Sequence, residues 1–107
     1  MLAGLPGQTL AVLAKRMVRE EVAPGTAVVR EGEAGDRFYV VFAGMLSVTN
    51  SDMGERVILR PGDYFGEVAL AMDVPRTATV TAITPAVVAS CDRATFDELL
   101  RPLFADD

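Results

Sequence analysis

The feature that most limits what this chain can become is the spacing of its turn residues. Beyond Arg19, Pro24-Gly25, the loop Glu31-Gly32-Glu33-Ala34-Gly35-Asp36, Gly44, Asn50 to Gly54, Pro61-Gly62-Asp63 and Thr84-Pro85 cut the sequence into short pieces. Each piece suits a strand better than a helix. Ala27 to Val29, Arg37 to Ala43, Met45 to Thr49, Arg56 to Leu59, Thr77 to Ala82 and Ala86 to Cys91 read as extended runs. In one of them Thr77, Thr79 and Thr81 alternate with Ala78, Val80 and Ala82, which predicts one hydroxylated and one apolar face. Helical spacing survives only at the ends. Leu10, Leu13, Ala14 and Met17 predict an amphipathic helix over about 8–19 that opens at Pro6-Gly7, and Asp92 can cap a helix over about 93–100 holding Phe96, Leu99 and Leu100. The pattern predicts a mainly β fold: an eight-stranded, jelly-roll-like β-barrel (a double-stranded β-helix) with short N- and C-terminal helices. Its β-roll would occupy about 20–92 of a single domain spanning 1–107.

Composition narrows the chemistry. A formal charge of −5 with no block of Lys or Arg argues against nucleic-acid binding by this chain alone. No apolar run reaches the roughly 18 residues that a membrane span needs, so a soluble protein is expected. The single cysteine, Cys91, excludes an internal disulfide and a multi-cysteine zinc site, and fits a reducing compartment. There is no histidine, so the commonest general base and a leading metal ligand are both missing. We therefore assign no catalytic residue, no metal ligand and no cofactor, and expect no enzymatic activity.

The stretch from Phe65 to Val80 is where an apolar sequence is interrupted by one acid, Glu67, and one base, Arg76, set after Gly66 and Pro75 respectively. Gly66 lets a ligand approach the main chain. The short run Val68 to Ala71 can form one helical turn whose free N–H groups attract an anion. Arg76 adds a planar fork of donors suited to phosphate oxygens. The alternative is a structural ion pair between Glu67 and Arg76 in an apolar patch.

Phe65-Gly66-Glu67-Val68-Ala69-Leu70, followed after four residues by Pro75-Arg76-Thr77-Ala78-Thr79-Val80, resembles the phosphate-binding cassette of cyclic nucleotide-binding domains. That family includes kinase regulatory subunits, cyclic-nucleotide-gated channels and bacterial catabolite activators. Gly32 to Gly44 and Pro61 to Gly66 agree with the same family, so the resemblance spans nearly the whole chain. It implies a regulatory module for cyclic AMP or cyclic GMP, with Arg76 on the cyclic phosphate and Glu67 on the ribose 2′-hydroxyl. It further implies that the amides of Ala69, Leu70 and Thr77 complete the phosphate shell and that Gly66 lies against the ribose. Thr77 leans weakly toward cyclic GMP, but its plainer role is one more hydrogen bond to phosphate; cyclic AMP is the expected ligand. Val48 and Val57 are candidates for apolar contact with the base, with core packing as the alternative.

Family members usually carry a further helix that closes over the base, and only Arg101 to Asp107 remain here, with Phe104 as the one aromatic that could cap it. The chain thus resembles a sensor module separated from its output. The expected partner is an output domain in the same or another chain, whether transporter, channel, kinase or transcription factor, in a cytoplasmic setting. A homodimer is left open. The expected mechanism is ordering of Glu67 to Ala71 by the phosphate, with the terminal helix around Phe96, Leu99 and Leu100 repacking against Leu70 and Met72. The second reading is a ligand-independent structural or oligomerisation module on the same fold.

Overall fold

The computed structural model describes residues 7–52 and 56–104. Helix α1 (Gly7–Arg16) leads into β1 (Val18–Val22), β2 (Ala27–Val29), β3 (Arg37–Ala43), β4 (Leu46–Thr49), β5 (Val57–Leu59) and β6 (Tyr64–Phe65). A short helix, α2 (Glu67–Ala71), precedes β7 (Thr79–Ala82) and β8 (Ala86–Asp92). The C-terminal segment then runs through α3 (Arg93–Thr95), a π-helical turn (Phe96–Leu100) and α4 (Arg101–Phe104).

The eight strands form two four-stranded sheets, ordered β1-β8-β3-β6 and β2-β7-β4-β5, with antiparallel pairing throughout. The mainly β, jelly-roll-like prediction stands, but the closed barrel does not. No strand ladder joins the two sheets among the described residues, and β1, β6, β2 and β5 are left as edges. The edge strands β2, β5 and β6 are only two or three residues long, and the sheets close by side-chain packing between them.

The layering follows from β3. Its sequence, Arg-Phe-Tyr-Val-Val-Phe-Ala, is apolar on both faces, and both faces are covered. Tyr39 and Val41 point between the sheets, where they join Val22, Val29, Leu46, Phe65, Val80, Ala82, Ala86 and Val88. Phe38 and Val40 point the other way and pack with Leu13 of α1, Leu70 of α2, Cys91 of β8, and Phe96 and Leu100 of the C-terminal segment. One strand therefore holds both cores. In the second core Cys91 is fully buried, and its thiol is pushed up to about 11, chiefly by desolvation, which leaves it an inert packing group.

Both terminal elements differ from the spacing argument. The first helix ends at Arg16, not near residue 19, because Val18 to Val22 pair with Ala86 to Ser90 of β8. The pairing buries Val22 while Arg19, Glu20 and Glu21 stay in water, a charged edge strand that discourages further pairing. The C-terminal helix does begin at an Asp92 cap, whose carboxylate accepts from the Thr95 N–H at 2.9 Å, but it continues beyond Leu100 to Phe104. Pro102 removes one helical donor without ending the helix, since the chain accommodates it with the wider π turn just before. Tyr64 and Phe65, directly after the predicted Pro61-Gly62-Asp63 turn, form a short strand that is not among the predicted runs, held by pairing with Tyr39 and Val40. Leu70 is buried with Phe96 and Leu100, whereas Met72 faces solvent at 68% exposure and takes no part in that core. Pro6, the Met53-Gly54 half of the predicted hairpin turn and Ala105 to Asp107 lie outside the described residues.

Phe38 has no exposed surface and packs between the rings of Tyr64 and Phe96 at 5.8 and 5.6 Å. Phe38→Ala is expected to cost about 3–5 kcal/mol of stability, read from urea denaturation. A loss below about 1 kcal/mol would contradict the placement of β3 at the centre of both cores.

Candidate functional site

Between the mouth of the second sheet and α2 lies a cavity of about 220 Å³. Val29, Val48, Leu59, Tyr64, Phe65, Gly66, Glu67, Val68, Ala69, Arg76, Thr77, Ala78 and Val80 line it. The Phe65 to Val80 stretch thus supplies most of the wall, and β2, β4 and β5 supply an apolar side.

Gly66 starts the construction. Its φ of 95° is left-handed, a conformation costly for residues with a Cβ, and it turns the chain from β6 directly into α2. Glu67 follows as the first residue of α2, half-buried, where a carboxylate suits the positive end of the helix. The next residues, Val68 to Leu70, bury Ala69 and Leu70 and leave Val68 partly exposed.

Arg76 is the unusual member. Only 6% of it is exposed, yet it forms no ion pair among the described residues. Its guanidinium donates instead to two backbone carbonyls, Nη1 to Gly66 O at 3.3 Å and Nη2 to Arg37 O at 2.9 Å. The Glu67–Arg76 ion pair of the alternative reading is therefore not formed. Desolvation lowers the pKa of the guanidinium, with Tyr39 and Asp36 acting in the opposite direction. A cation held by neutral carbonyls in a cavity wall keeps donors and charge for something else, because carbonyls orient it without neutralising it.

Several neighbours fix its pose. The Arg76 backbone is clipped to the glycine-rich loop by Gly32 N–H to Arg76 O and Arg76 N–H to Glu33 O, both 2.8 Å. Tyr39 stacks on Phe65 at 4.8 Å and lies 5.8 Å from the Arg76 guanidinium carbon. Gly35 contributes by what it lacks. A Cβ there would stand 2.5 Å from Arg76 Nε, and one at Gly66 would stand 2.9 Å from Nη1. The roles of Gly35, the Arg37 carbonyl and Tyr39 are absent from the sequence reading. The glycine-rich run containing Gly35 is the one signal that pointed there.

Of the remaining candidates, Ala69 and Thr77 line the cavity, Ala69 buried and Thr77 exposed. Leu70 does not line it, since its side chain belongs to the helix-facing core. Val48 lines the wall, whereas its cross-strand partner Val57 is 52% exposed and stands outside it.

The model of the cyclic nucleotide-binding domain matches residues 19–102, and the chain belongs to that family. A cAMP-dependent protein kinase regulatory subunit from Yarrowia lipolytica is 50% identical over 92 residues, which is 85% of this chain and 24% of that protein. The regulatory domain of Toxoplasma gondii PKA, co-crystallised with cAMP, superposes with a TM-score of 0.87 at 30% identity, covering 94% of this chain and 40% of that one. The regulatory subunit of a cAMP-independent protein kinase A from Trypanosoma brucei superposes with a TM-score of 0.89, also at 30% identity, covering 96% of this chain and 38% of that one. The chain spans about a quarter of the length of the curated relatives it matches. No helix among the described residues is long and apolar enough to cross a membrane.

Gly35→Ala is expected to force the Arg76 guanidinium off its carbonyls and lower stability by about 1–3 kcal/mol, the usual cost of overpacking. Gly7→Ala, where nothing lies within 4 Å of the added carbon, is the control and should leave the urea midpoint nearly unchanged. Equal midpoints for both variants would contradict the tight fit of Gly35 on Arg76.

Proposed function

We propose that this chain is a regulatory module that binds a cyclic nucleotide, cyclic AMP in preference to cyclic GMP, and relays its presence to a kinase. The observation that carries the reading is the buried, carbonyl-held guanidinium of Arg76 in the cavity wall. A cyclic phosphodiester is a singly charged anion at physiological pH, and an always-protonated guanidinium is its natural partner. Arg76 takes the cyclic phosphate, with the amides of Ala69, Leu70 and Thr77 around it. Glu67, an acceptor-only carboxylate, takes the ribose 2′-hydroxyl, and Gly66 lies against the ribose. The apolar side of the cavity, with Val48 and Leu59, receives the base; Val57 stands farther out, at the rim. No step of covalent chemistry is involved.

The kinase partner is supported by the relatives, which are kinase regulatory subunits. The route of the signal is the contact between α2, which would carry ligand contacts on Glu67, Ala69 and Leu70, and the C-terminal segment, which shares a core with Leu70. A ligand that binds better to one arrangement of this contact shifts the population toward it.

A second reading, a module that keeps the fold without responding to cyclic AMP, is favoured by the close superposition on a subunit described as cAMP-independent. The two readings part on one pair of measurements. For the sensor, calorimetry should show stoichiometric binding of cyclic AMP by the wild-type chain, and Arg76→Ala should weaken it by roughly 2–5 kcal/mol. A thermal-shift scan with no stabilisation by excess cyclic AMP or cyclic GMP would favour the second reading.

A further inference from the structure

At the end of α2 away from Gly66, two cations of the C-terminal segment meet the same carbonyl. Arg101 donates through Nη2 to Leu70 O at 2.8 Å and through Nη1 to Ala71 O at 3.0 Å. Arg93 donates through Nη1 to Leu70 O at 3.4 Å and through Nη2 to Gly35 O at 3.2 Å. Gly35 is the residue whose missing Cβ makes room for Arg76. Arg93 thus bridges α2 and the glycine-rich loop that carries Gly35, while Arg101 takes both of its backbone partners from α2.

Arg101 is held for this task from its own helix. Its Nε and Nη2 donate to Asp97 Oδ1 at 2.9 and 2.7 Å, so one face of the guanidinium fork is anchored while the other reaches α2. The sequence explains the aim. Arg101 N–H bonds to Phe96 O, five residues back, in the π turn that precedes Pro102. One extra residue in a turn rotates everything after it by roughly 100° about the helix axis.

The carbonyls it caps need a partner. The last carbonyls of a helix have no intrahelical donor and carry its negative end. With five residues, α2 is far too short to hold its own conformation and depends on outside contacts. Leu70 supplies one through its side chain, Arg93 makes a longer contact to the Leu70 carbonyl, and Arg101 holds the Leu70 and Ala71 carbonyls at the shortest distances.

We propose that Arg101 is a positioning residue for the ligand site: by fixing the Leu70 and Ala71 carbonyls it sets the placement of α2, and with it Glu67 and the amides of Ala69 and Leu70. The affinity part of this inference rests on the cyclic nucleotide reading above. The structural part does not.

The test compares the wild-type chain with Arg101→Ala, Arg101→Met and Arg101→Lys, each checked for folding by thermal melting. Without ligand, hydrogen exchange of the α2 amides should be faster in the Ala and Met variants. The methionine keeps the packing of the stem but has no donor, so wild-type exchange in Arg101→Met would overturn the proposal. In calorimetry with cyclic AMP, the Ala and Met variants should bind about tenfold more weakly, the equivalent of one or two net hydrogen bonds. Arg101→Lys, which keeps a cation that can donate to a carbonyl, should recover part of both effects. Unchanged affinity in Arg101→Met would overturn the positioning role. If the wild-type chain binds no cyclic nucleotide, it is the sensor reading that fails, and the exchange data still decide whether Arg101 holds α2.

Discussion

The rest of the structure depends on one burial problem: a guanidinium, Arg76, removed from water with no ion pair to a carboxylate among the described residues. Such a group is costly unless its donors are satisfied and its charge is met by a ligand. The chain meets the first need with two carbonyls, from Gly66 and Arg37, which belong to the β6–α2 turn and to the start of β3. Two glycines, Gly35 and Gly66, leave the space, and the stacked pair Tyr39–Phe65 provides the floor. The second need is left to the cavity. Nearly everything around the site is explained by keeping this cation fixed, oriented and available.

The fold makes that arrangement rigid by routing both cores through β3. One face of β3 faces the opposing sheet and the other faces the helices, so Phe38 and Tyr39, adjacent in sequence, belong to different cores. The Arg37 carbonyl that orients Arg76 sits at the start of this strand, where Arg37 pairs with Asp92 of β8. On the other side, α2 is short and is held by Leu70, Arg93 and Arg101. The cavity therefore has one wall built on the sheets and one wall, α2, that packs against the C-terminal segment. On the function proposed above, that asymmetry is what lets occupancy pass onward.

Much of this was legible from residue order alone. Turn residues at short spacing gave a β fold, because Gly and Pro act locally, and the alternation in Thr79 to Ala82 matches its buried and half-buried positions. Glu67 and Arg76 stood out because charges in an apolar run need a reason. What escaped was set by distant partners. Val18 to Val22 became a strand only because β8 offers an edge, and Val57, on the edge strand β5, is exposed and stands off the cavity wall. The contribution of Gly35 could not be read locally, since it consists of space for a side chain more than forty positions away in the sequence order of residues 35 and 76. The π turn before Pro102 was likewise hidden, because proline announces a lost donor but not how the helix adjusts.

The central claim, that the carbonyl-held Arg76 is a preformed receptor for a cyclic phosphate, is tested most directly by a crystal structure of this chain grown with excess cyclic AMP. The account predicts the phosphate within hydrogen-bond distance of the Arg76 guanidinium and the ribose 2′-hydroxyl on Glu67, with Arg76 little moved from its present pose. Nucleotide seated elsewhere, or an empty cavity with Arg76 still on the carbonyls of Gly66 and Arg37, would contradict it.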